Sequence, residues 1–106
     1  MPAPRRQRYY FEIEVVAPAK SLCAAHRTGD KFVYPADLGK ICPWLRDSMS
    51  GALRAMEWGA TFSWDYAGTP FAKVSDPNGV STEFIRCPDP TDHGIVVKIT
   101  RTALKS

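Results

Sequence analysis

The chain has 106 residues, the size of one domain with a single core. Apolar residues make up 44% and charged residues 24%, a globular balance that excludes disordered and fibrous classes. No apolar run approaches the roughly 20 residues of a membrane helix, so no membrane partner is expected.

The net charge of +3 is carried by Arg5, Arg6 and Arg8, and the rest of the chain is charge-balanced. A neutral body argues against nucleic acid as a partner, because phosphate neutralisation supplies most non-specific affinity. Residues 1–8 are read as a basic flexible arm, and 9–106 as a single domain. The arm does not open a signal peptide, since Glu12 and Glu14 interrupt the apolar stretch that one requires. Three cysteines, an odd number, argue against a closed disulfide framework and fit reduced thiols in a cytoplasmic protein.

Residues 9–16 alternate, with Phe11, Ile13 and Val15 on one face and Tyr10, Glu12 and Glu14 on the other. This predicts a half-buried strand, ended by Pro18. Gly29-Asp30 marks a turn, and Lys31–Tyr34 a short strand closed by Pro35. A helix starts near Cys42, with Pro43 at its first position. Leu45, Met49, Ala52, Leu53 and Met56 form one apolar stripe, and Gly59 suits the position just past the end. Gly51 inside that helix costs about 1 kcal/mol relative to Ala, which suggests close packing against a strand.

From Ala60 to Pro70 the aromatics Phe62, Trp64 and Tyr66 alternate in a loop or irregular strand. Phe71–Val74 reads as a strand joined to Val80–Cys87 by the turn Ser75-Asp76-Pro77-Asn78-Gly79. Pro88-Asp89-Pro90 breaks pairing, and Ile95–Thr100 is the last strand. About five strands and one helix, without a βαβ repeat, predict an α+β fold: a mostly antiparallel sheet with the helix packed on one face.

Cys23, Cys42 and Cys87 each lie at the end of an element, where they can converge, and His26 follows Cys23 by three positions. One reading makes Cys23, Cys42, Cys87 and His26 a metal site, most simply for zinc, whose usual ligands are thiolate and imidazole. A second makes Cys42 a nucleophile at the helix N-terminus, with His26 as its base. The plain alternative is three buried, unligated thiols. Trp44, Trp58 and Trp64 lie in an aromatic-rich stretch with Phe62, and serve either as core or as a partner interface.

Four segments are informative together: Cys23-Ala-Ala-His26-Arg-Thr-Gly29-Asp30-Lys-Phe32, Ile41-Cys42-Pro43-Trp44, Glu57-Trp58-Gly59-Ala-Thr-Phe62-Ser-Trp64 and Cys87-Pro88-Asp89-Pro90. In this order they resemble a family of small, largely uncharacterised bacterial and archaeal proteins. Its members carry a Cys-Pro-x-Gly-His-x-x-Gly-Asp-like segment, an Ile-Cys-Pro-like helix start, a Gly-Gly-x-Phe-Pro-Trp-like turn and a Cys-Pro-Asp-Pro-like turn. The resemblance spans residues 10–101. It implies no named activity, but it matches all three cysteine positions and so favours a metal or thiol site. Two departures stand out: Cys23 and His26 are one residue closer than in the family, and Ala-Thr-Phe-Ser-Trp replaces the Gly-x-Phe-Pro-Trp turn.

Two functional readings follow. The first is a small cytoplasmic accessory or interaction subunit of a larger metabolic enzyme, not catalytic alone, with a protein partner or a second copy of itself. The second is a stand-alone Cys/His metal-binding, zinc-like, or thiol-dependent protein.

Overall fold

The computed structural model describes residues 7–104. Arg5 and Arg6 of the expected arm lie outside the described residues. The elements are β1 (Tyr9–Ala17), β2 (Lys31–Tyr34), a 3-10 turn (Leu38–Lys40), α1 (Pro43–Glu57), β3 (Val80–Arg86) and β4 (Val96–Ala103). All strand pairs are antiparallel, in the order β2-β1-β4-β3. The fold is therefore α+β, with the strands nearest the two ends of the chain paired at the centre of the sheet. Their register runs from Tyr9↔Ala103 to Ala17↔Val96.

Period-two alternation sends Phe11, Ile13 and Val15 of β1, and Val97 and Ile99 of β4, to one face. The α1 stripe of Leu45, Met49, Leu53 and Met56 closes over them, and every one of these side chains is buried. Each such burial contributes about 1.5–3 kcal/mol, so this single interface holds the domain together.

The sheet has four strands rather than five, because Phe71–Val74 remains irregular. Thr82 N–H donates to Val74 O at 2.8 Å, as a ladder would require. The Val74 N–H then goes to Thr82 Oγ1 (3.0 Å), and the Asp76 N–H to Ser81 Oγ (3.0 Å). Side-chain oxygens thus take the donors that a strand would have used. β3 pairs with β4 instead, and the 71–76 segment lies along its outer edge. In the connecting turn a Cβ at Gly79 would sit 2.6 Å from Asp76 Oδ2, so a larger residue there would displace the Asp76 carboxylate.

The helix ends are held from outside the helix. At its start the Cys42 side chain makes no capping bond, and the His26 imidazole accepts the Cys42 N–H at 3.0 Å. At its end Gly59 adopts φ +89°. Its N–H donates to Met56 O, and the Ala60 N–H donates to Ala55 O, which completes a Schellman motif. The Arg101 guanidinium, fully buried on β4, donates to Met56 O (2.9 Å) and Ala60 O (2.8 Å). A cation thus meets the negative end of the helix dipole. The expected close packing at Gly51 does not occur: the residue is exposed, and a Cβ there would meet nothing within 4 Å.

Both sheet edges carry local hydrogen bonds. On β2 the Val33 N–H donates to Asp37 Oδ2 (2.8 Å), and on β3 the Phe84 N–H donates to Glu83 Oε1 (2.9 Å). Carboxylates on edge N–H groups oppose the addition of a further strand there.

Candidate functional site

His26 and Cys42 do come together, but through the backbone. The Nε2 lone pair that a general base would use is committed to the Cys42 N–H. His26 is buried, with its ring edge-on to Phe32 at 5.2 Å. Burial holds its pKa below the usual histidine value, and the Asp30 carboxylate partly offsets that shift. A neutral imidazole is what an Nε2 acceptor requires.

Cys23 sits in the loop after β1, and its sulfur accepts the Ala25 N–H at 3.4 Å. Cys42 is half-buried at the helix start, and Cys87 is buried beside the core with its N–H on Ile95 O. All three cysteines are free. Among the described residues, no three or more His, Cys, Asp and Glu side chains form a group that could hold a metal ion. Cys23, Cys42, Cys87 and His26 are thus not assembled into a ligand set.

The three tryptophans occupy separate places. Trp44 lies in the first turn of α1 and Trp58 at its C-cap, about 21 Å apart at the helical rise. Both are exposed. Trp64 lies in the loop after α1 and stacks on Phe62, with ring centroids 4.8 Å apart and planes 12° from parallel.

Around Trp64 the chain builds a site. Two adjoining clefts flank the aromatic loop and β3, and the first of them reaches α1. One, of about 320 Å³, is lined by Ser48, Gly51, Ala52, Phe62, Trp64, Tyr66, Glu83, Phe84 and Ile85. The other, of about 390 Å³, continues past Tyr66, Phe84 and Ile85 to Phe71, Arg86 and Val96. The missing side chain at Gly51 leaves the helix wall open.

Beneath the rings lies an ion pair. Lys73 Nζ is 2.8 Å from Glu83 Oε2, and both side chains are only 2% exposed. The same ammonium sits 5.4 Å from the Phe62 ring centroid, 4.8 Å from Trp64 and 5.9 Å from Tyr66. The electron-rich faces of these rings attract a cation. Glu83 lies opposite Ile99 in the β3–β4 ladder, on the face turned to the helix. Tyr66 holds φ +51°, a left-handed backbone that an aromatic residue adopts only under constraint. Thr69 anchors that turn by donating its N–H and hydroxyl to Tyr66 O.

Lys73, Glu83 and Arg101 are buried charges that residue-type motifs do not reveal. The signal was parity. Arg101 continues the inward set of Val97 and Ile99, and Glu83 shares its phase with Ile85. A charge on a core-facing position needs a buried partner.

Comparisons with protein-family models, with curated proteins and with solved structures find no match to this chain.

Proposed function

We propose that the protein is an interaction subunit, not catalytic alone, that seats a segment of a larger protein in the groove between α1 and the 62–66 aromatics. The observation that carries this reading is the groove itself. Two clefts share Tyr66, Phe84 and Ile85, and their walls include Trp64 and Tyr66, each about half exposed at 47% and 48%. Half-exposed aromatic rings over a fixed, buried base are the usual anchors of protein interfaces. The sheet and helix beneath them supply rigidity, so little order is lost on binding.

The test is a photo-cross-linking residue in place of Trp64, with one in place of Tyr10, exposed on the sheet face turned away from α1, as a control. At native expression level, position 64 should give one discrete heavier adduct, and position 10 none. The partner peptide, once mapped, should bind the purified protein, and Trp64→Ala should weaken that binding at least tenfold. An adduct of twice the chain mass would replace the accessory reading with a homo-oligomer. No adduct at position 64 would refute the groove.

A further inference from the structure

The second cleft, of about 390 Å³, is mostly apolar and has the size of a ligand pocket. Phe71 and Phe84 meet edge to face in its wall, with ring centroids 5.3 Å apart, and Ile85 and Val96 continue it. Among the described residues that line it, Arg86 alone is charged. We propose that the partner segment seated in the groove carries a bulky apolar residue and, two positions away along an extended chain, a carboxylate. The apolar side chain fills the cleft beside Phe84, and the carboxylate pairs with Arg86. This rests on the groove reading and names what the groove selects.

The charge of Arg86 is available. The residue is exposed and makes no ion pair among the described residues. The two acids nearest to it in sequence are engaged elsewhere. Glu83 is bound to Lys73, and Asp89 Oδ1 accepts the Thr91 N–H at 2.8 Å and the Thr91 hydroxyl at 2.7 Å. A guanidinium offers paired N–H groups in one plane, the arrangement that a carboxylate matches. Set on the rim of an apolar cleft, it favours an acid that stands beside an apolar group.

The spacing follows from β3. Strand side chains alternate, so Phe84 and Arg86 share one face, opposite Lys98 and Val96 of β4. Two residues of strand span roughly 6.6 Å. A partner segment extended alongside has the same repeat, which puts its apolar and acidic side chains two residues apart as well. The segment is read by side chains and not by a new ladder, because the Phe84 N–H is already taken by Glu83 Oε1.

The probes are synthetic peptides with a Gly-Ser background that carry phenylalanine and glutamate two positions apart. In the controls glutamine or lysine replaces the glutamate, or the two residues stand one or three positions apart. All carry the same fluorescent label and are titrated by anisotropy against the whole protein. In low salt the two-apart glutamate peptide should bind about fivefold more tightly than its glutamine counterpart, the worth of a partly exposed ion pair, and high salt should erase the difference. The other spacings should show no preference for glutamate. Arg86→Gln should remove the preference and leave the affinity of the glutamine peptide unchanged. Arg86→Glu should invert it in favour of the lysine peptide, a reversal that a merely structural role would not produce.

A glutamate preference that survives Arg86→Gln, or that is equal at every spacing, overturns the proposal. So does a two-apart glutamate peptide that fails to bind at millimolar concentration, and the cross-link at position 64 then judges the groove on its own. Trp64→Ala separates the two readings further. Binding that weakens in Trp64→Ala but ignores Arg86→Gln keeps the groove and removes the acidic match, whereas indifference to both variants removes the groove as well.

Discussion

Lys73→Met tests the buried ion pair most directly. The change keeps an apolar stem under the rings and removes only the charge, which leaves the Glu83 carboxylate 2% exposed and without its cation. Breaking a buried pair from one side costs about 3–5 kcal/mol. Glu83 cannot leave, because its backbone is locked in the β3–β4 ladder. The reverse change, Glu83→Leu, should cost less, on the order of 2 kcal/mol, because Lys73 lies on an irregular segment and its flexible stem can carry the ammonium to water. The double variant replaces the pair with apolar groups and should fall within about 1 kcal/mol of the parent. The two single costs are then strongly non-additive.

Urea unfolding followed by circular dichroism measures all of this. A Lys73→Met cost under about 1 kcal/mol would refute a buried pair, since an exposed pair contributes no more than that.

Other predictions concern the helix ends and the groove wall. Arg101→Met removes the donor to Met56 O and Ala60 O and should cost about 2 kcal/mol, with faster amide exchange at Gly59 and Ala60; Arg101→Lys should restore only part, because a single ammonium nitrogen cannot also supply the bond that the second guanidinium nitrogen makes to Ser81 Oγ. His26→Ala leaves the Cys42 N–H without its acceptor and should cost about 1–3 kcal/mol by the same urea assay. Because burial lowers the His26 pKa, its contribution is complete above about pH 6.5 and is lost as pH falls below that value, so a melting series should decline on the acid side less steeply in His26→Gln. Gly51→Ala should stabilise the helix by about 0.5–1 kcal/mol, since the new methyl meets nothing. It narrows the groove wall too, so partner binding should weaken as the melting temperature rises.

Local pattern carried most of the framework. Alternation in residues 9–16 marked β1, the stripe from Leu45 to Met56 marked the buried face of α1, and Gly59 marked its end. These signals are legible because strand and helix periods depend only on near neighbours in sequence. The Phe71–Val74 strand was misread because its donors are taken by Thr82 and Ser81, and side-chain competition across a turn leaves no periodic trace.

The candidate site was still less visible. Cysteine spacing drew attention to Cys23, Cys42 and Cys87, yet the structure gathers Phe62, Trp64, Tyr66, Lys73 and Glu83. The sequence by itself determined which apolar stripes must leave water. Only the tertiary structure decided which buried charges would meet, because an ion pair across an irregular loop and a strand depends on where the chain returns, and no local period encodes that.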